Sequence, residues 1–409
     1  MDYARGLLAF TAACLPLYAV RWNYRPIPTT LLEHLVVATI VLYGVARWRE
    51  QEHGGLKVLR TPYDIPILLL LLSGVVSIFV ARDHRGALGL YKAYFIEPIV
   101  LFYVAADMLR RREHFRTLLL GFWIGTSLFA LLNIVYFAAA FFSHTIASGA
   151  PPSAIYTSSN EVAMFLEPPA AFAVALVLFA DDSRHRRLAT AWTALLAVAL
   201  VLTFSRGAYL ALAVLAVLTT VTVSPSLRRP MLAVGIAAAA IALVAIITAS
   251  NTPIMQNRFS YVALNYTLQT RSVIYVATWH IITSHPIFGL GLGGYRYVLH
   301  EFPEIYPHDV YLAFWVELGL LGLVAFLVIV GGLFWRAWRT LSLEAGFERA
   351  LLWGTVGTWV LWAVHGVFDT PYWKNDMSVE FWLVAAVEVA LLRSLIRSAP
   401  AKAGARARP

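Results

Sequence analysis

The feature that most constrains this chain is the alternation of long apolar runs with short gaps in which arginine recurs. The runs fall at 6–20, 31–46, 65–81, 87–109, 117–142, 161–180, 188–205, 207–224, 231–250, 308–335, 350–368 and 377–395. About 20 apolar residues in a helix cross roughly 30 Å of hydrocarbon, and most of these runs approach that length. A segment in lipid must pair its own backbone polar groups, which a helix does and an open strand does not. The chain is therefore expected to be all-α, a polytopic integral membrane protein of about twelve transmembrane helices. Only 13% of its residues are charged, against about a quarter in soluble domains.

Basic residues orient the bundle. Of the 32 Lys and Arg, 22 lie in alternate gaps or near the two ends: Arg5, the 47–60 gap, Arg110 to Arg116, Arg184 to Arg187, Arg228 and Arg229, Arg336 to Arg349, and Arg393 onward. The positive-inside rule puts this set, and both termini, in the cytoplasm. The net charge of +9 is thus a matter of topology and not a sign of nucleic-acid binding. Residues 1–398 read as one transmembrane domain, with a disordered basic tail at 399–409. Gly6 to Val20 has no small-residue cleavage site after it and reads as a retained first helix. The lone cysteine, Cys14, excludes a disulfide within the chain and a cysteine-built zinc site.

The opposite face receives the gap 143–160, the long gap 251–307, and the short turns near Arg21, Arg82, Arg206 and Lys374. Within 251–307, apolar residues at Val273, Tyr275, Val276, Trp279 and Ile282 predict an amphipathic helix near the interface, broken by Gly289, Gly291, Gly293 and Gly294.

The few basic residues on this face are the informative ones. Arg206 sits in Thr203-Phe204-Ser205-Arg206-Gly207, a turn almost without a loop. A guanidinium at the membrane edge either snorkels to headgroups or meets an anionic partner, and its planar fork suits phosphate oxygens. Arg271 is expected near the start of the amphipathic helix, where free N–H groups also favour anions. It reads equally as a solvated loop arginine, and Arg82, Arg85, Arg258 and Arg296 are weaker versions of the same signal. His308 opens the tenth run, and Asp309 or another acceptor can orient its ring. An imidazole titrating near neutral pH suits proton acceptance, although a lone histidine is more often structural. His144, His280, His285 and His300 share the face without that context. There is no P-loop, no His-Glu-x-x-His, no Gly-x-Ser-x-Gly, and no Asp-x-Asp pair on this face for a divalent metal. Gly289 to Gly294 looks superficially like a dinucleotide loop but follows no strand. A transporter would place ionisable groups in mid-membrane, and Lys92, Glu97, Glu317, Glu380 and Glu388 are the candidates.

Three pieces taken together resemble the O-antigen ligase and polymerase superfamily. They are Ser205-Arg206-Gly207; Arg271 with Trp279 and Ser284-His285-Pro286-Ile287-Phe288-Gly289-Leu290-Gly291, leading to Tyr295; and His308-Asp309-Val310-Tyr311-Leu312 with Glu317-Leu318-Gly319 and Gly322. Asn160 matches a weaker family asparagine, whereas Asp309 stands where the family commonly has asparagine. The resemblance implies a bacterial inner-membrane enzyme whose long loop and active site are periplasmic. It implies glycan transfer from an undecaprenyl-diphosphate-linked O-antigen without metal or cofactor. The acceptor would be lipid A-core in a ligase, or a further repeat unit in a polymerase. It makes His308, Arg206 and Arg271 the catalytic candidates, with Asn160, Arg82, Arg85, Asp309 and Tyr311 as candidate substrate-binding residues. Protein-glycosylating relatives usually add a C-terminal domain that is not found here, which favours the ligase over them.

Overall fold

The computed structural model of the chain describes residues 1–24, 27–50, 59–143, 145–146, 151–222, 260–298 and 306–406. The expected run at 231–250, much of the 251–307 gap, and the sites at Lys57, His144, Arg228, Arg229, Arg258, His300 and Arg408 lie outside the described residues.

The chain is an all-α polytopic membrane protein. In order, its helices are α1 (Asp2–Ala13), α2 (Leu31–Glu50), α3 (Asp64–Val80), α4 (His84–Tyr91), α5 (Glu97–Met108), α6 (Arg112–Phe142), α7 (Ser159–Phe179), α8 (Ser183–Leu202), α9 (Arg206–Thr222), α10 (Tyr261–Ser284), α11 (Val310–Leu341), α12 (Gly346–His365) and α13 (Asn375–Arg406). Six described helical stretches are long and apolar enough to cross a bilayer: Leu31–Arg49, His84–Met108, Arg112–Phe142, Ser159–Phe179, Ser183–Leu202 and Val310–Leu341. Asp64–Val80 and Arg206–Thr220 are shorter apolar helices.

The interior is built from α7, α12 and α13, in which Phe165, Phe172, Trp359, Phe381 and Trp382 are fully buried. A helix buried on every side belongs at the centre of a bundle. Around it, α7 packs along α12, α1 along α6, α3 along α11, and α5 along α13. The outer faces leave large apolar side chains such as Phe79, Leu128 and Val328 exposed, which is stable where the surroundings are lipid.

Several expected boundaries move. The first run is helical only to Ala13; a 3-10 turn, Leu15–Ala19, follows, with Pro16 lacking the N–H that would extend the helix. Arg21–Tyr24 then pairs antiparallel with Ile27–Thr30, a short hairpin absent from the all-helical expectation. A π turn, Lys92–Ile96, divides the fourth run into α4 and α5. The last helix runs to Arg406, past Ala399 where a disordered tail was expected.

The largest departure is in α11, which breaks at Gly319, where φ is +72°. A break inside an apolar bundle frees backbone groups that must find partners. Residues 285–297 supply them. Leu320 N–H donates to the Ile287 carbonyl at 3.2 Å, and Leu290 N–H to that of Val316 at 2.7 Å. The Glu317 carboxylate accepts from the N–H groups of Gly293 and Tyr295. Ser77 donates to the Glu317 carbonyl and accepts from Leu292 N–H, each at 2.7 Å. The glycine-rich stretch is therefore a plug seated in a broken helix.

A Cβ at Gly319 would lie 2.0 Å from the Ile287 oxygen, whereas one at Gly331 meets nothing within 4 Å. Gly319→Ala is expected to lower stability by about 2 kcal/mol or more, from left-handed strain plus the clash. Thermal melting of the purified protein checks this, with Gly331→Ala as the control expected to melt like the wild type.

Candidate active site

Three sequence-distant segments meet at the N-terminal end of α11. His308 precedes that helix with φ at +53°, a left-handed conformation that turns the chain sharply into the bundle. Asp309 is the helix N-cap, its carboxylate accepting from Leu312 N–H at 2.8 Å. An Asp directly before an apolar helix serves its own first turn. The expectation that Asp309 orients the imidazole therefore gives way to a different partner.

That partner is Asp369, in the turn between α12 and α13. One carboxylate oxygen of Asp369 pairs with His308 Nδ1 at 3.3 Å, and the other accepts from Asn160 Nδ2 at 3.1 Å. Burial alone would raise this carboxyl, but His308, His365 and Arg271 beside it hold it down to about 2. Asp369 is thus ionised at neutral pH and can only accept, so His308 carries its neutral-form proton on Nδ1, which puts the basic lone pair on Nε2. This contribution to stability is complete above the usual carboxylate range and is lost as pH falls toward about 2.

The Asp369 turn is held from several sides. Arg271 donates through Nη1 to the Phe368 carbonyl, and Tyr275 donates to the carbonyls of His308 at 3.1 Å and Val367 at 3.0 Å. Behind the turn, His365 Nδ1 pairs with Glu167 at 2.7 Å, both groups being fully buried. A Cβ on Gly207 would stand 2.7 Å from the His365 ring, so the glycine of Ser205-Arg206-Gly207 lets α9 close on His365.

Arg206 is the first residue of α9, with Ser205 accepting from Ala208 N–H at 3.4 Å in the turn before it. Its Nη2 donates to Thr267 at 3.0 Å, one helical turn from Arg271 on α10. Arg206 Nη1 is buried with no hydrogen-bond partner among the described residues. Two adjacent cations with spare donors form a natural receptor for a multiply charged anion.

The other candidates make contacts of their own. Arg82 stacks on Tyr297 beside the Arg296–Asp83 pair, and Arg85 is exposed in the first turn of α4. Tyr311 donates to the Ala363 carbonyl at 2.9 Å, fastening α11 to α12. Arg271 lies ten residues inside α10, not at its start, so the N-terminus of α10 does not support it. A helix is present where one was expected, but it is not amphipathic: its buried stripe is Ile274, Thr278 and Ile282, while the apolar Val273, Val276 and Trp279 stay exposed. Sequence reasoning missed Asp369, Thr267, Tyr275 and the Glu167–His365 pair. The one available signal for Asp369 was an acid in a short turn on the same face as His308.

Fold and site together define a multi-pass membrane protein that gathers two arginines, a histidine and an ionised carboxylate at one end of its bundle. Residues 191–327 match a family model described as O-antigen ligase. The match covers the segment bearing Arg206, Arg271, His308 and the plug, in keeping with a member of the O-antigen ligase and polymerase superfamily. No match was found among curated proteins.

Nitrogen chemical shifts of labelled histidines test the Asp369 contact. Neutral His308 is expected as the Nδ1–H tautomer, and Asp369→Asn is expected to remove that preference.

Proposed function

We propose that this protein is an O-antigen ligase, a metal-independent inverting glycosyltransferase. It moves glycan from undecaprenyl diphosphate to lipid A-core, with the His308 end of the bundle facing the periplasm of the inner membrane. The observation that carries the reading is the shared carboxylate of Asp369, which joins His308 to Asn160 beside Arg271. Arg206 stands one turn of α10 away, with a buried donor that has no hydrogen-bond partner among the described residues.

The step follows from these groups. A core-sugar hydroxyl attacks the anomeric carbon from the face opposite the diphosphate, forming the new glycosidic bond with inversion. Its proton passes to His308 Nε2, and the imidazolium that results is stabilised by Asp369. The bond to the diphosphate oxygen breaks, and the electron pair leaves on undecaprenyl diphosphate. Arg206 and Arg271 meet the charge that grows there, in surroundings where low dielectric strengthens the contact. Asn160 holds the second oxygen of Asp369 and fixes the carboxylate's orientation.

His308→Ala and Arg206→Ala are each expected to lower ligation by about 10²-fold or more while leaving membrane insertion intact. Asp369→Asn is expected to lower kcat with KM little changed. The assay mixes purified protein with lipid-linked O-antigen and lipid A-core, without metal or ATP, and follows the banded product. Normal product from the His308 and Arg206 variants would overturn the mechanism. Lengthening of lipid-linked glycan with no core acceptor present would assign the site to a polymerase.

A further inference from the structure

At the end of the bundle away from His308, α5 and α13 enclose a cleft of about 250 Å³. We propose that it binds the headgroup phosphate of an anionic lipid, in the leaflet opposite the site described above. Asn375, at the start of α13, is close to the Asp369 turn, and Arg393 stands 18 residues further along. At 1.5 Å per residue that is about 27 Å, close to the thickness of the hydrocarbon layer.

The cleft is lined by Arg110, Arg393 and Arg397, with Asp107, Ser394 and Leu109. Its single carboxylate is already engaged. Both oxygens of Asp107 accept from Arg110, at 2.7 and 2.8 Å, and Tyr43 donates to it at 2.8 Å. Arg47 approaches the same carboxylate at 3.7 Å. Arg393 and Arg397, one turn apart on α13, make no hydrogen bond or ion pair among the described residues. Two neighbouring guanidinium groups in a partly buried cleft repel unless an anion lies between them, and a phosphate oxyanion offers paired acceptors matching their forks.

Soluble phosphate shares that chemistry, but the location favours lipid. The cleft opens at the C-terminal end of α5 beside α13, with Ala106, Leu109 and Ala390 giving it an apolar wall next to the arginines. Basic pockets between spanning helices at the membrane surface are suited to phospholipid headgroups.

The test titrates cardiolipin into the full chain, purified in neutral detergent, and follows the melting temperature. Phosphatidylcholine and inorganic phosphate are run in parallel. Cardiolipin is expected to raise the melting temperature saturably, and phosphatidylcholine and phosphate are not. The double variant Arg393→Gln, Arg397→Gln is expected to need about thirtyfold more cardiolipin, at about 1 kcal/mol for each arginine. Arg393→Lys, Arg397→Lys keeps the charge and is expected to retain most of the response, which separates anion binding from failure to fold. An identical titration in the wild type and the Gln variant would overturn the site. Equal protection by inorganic phosphate would overturn the lipid assignment.

Discussion

The ionised carboxylate of Asp369 shares its two oxygens between His308 and Asn160, and the rest of the site is arranged around that sharing. A buried carboxylate is costly unless its lone pairs are used, and here a hydrogen-bonded histidine and an amide use them. The backbone of the same turn accepts from Arg271 and Tyr275. Moving Asp369 would therefore disturb the base, the amide and an arginine together. The Glu167–His365 pair anchors the turn from inside, and Gly207 brings the Arg206 helix against His365. One short turn between α12 and α13 thus ties together elements that the chain separates by some 200 residues.

The broken helix α11 plays a complementary part. Discontinuous helices in transporters expose backbone groups to substrate or ion. The break at Gly319 instead has its neighbouring groups paired with the 285–297 plug, and the Glu317 carboxylate accepts from plug N–H groups. The polar groups around this break are therefore engaged within the protein. The plug also leads from α10, which bears Arg271, toward α11, which follows His308, and fixes how those two helices meet.

Much of the fold was legible from the sequence, because crossing a bilayer demands apolar length, and length shows in one dimension. The runs at 117–142, 161–180 and 308–335 correspond to α6, α7 and α11. Arg206, Arg271 and His308 stood out because a charge next to lipid needs a reason. What stayed hidden was pairing across the chain. The break at Gly319 depends on partners near Ile287, and no local pattern announces them. Asp369 looks like any solvated acid in a turn, while Asp309 attracts attention by adjacency to His308 and turns out to cap its own helix. Arg82 and Arg85 share a face with the site by loop parity, but parity sets only which end of the bundle a residue occupies. What Arg82 contacts there, the Tyr297 ring, no loop count could have named.

The central claim is that Arg206 and Arg271, from different segments, hold one diphosphate. Binding of undecaprenyl diphosphate to the purified protein, measured for the wild type, Arg206→Ala, Arg271→Ala and the double variant, tests it directly. A shared anion predicts strong coupling: each single change weakens binding, and the double variant loses far less than the product of the two losses. Losses that simply multiply would show two independent arginines and contradict the account.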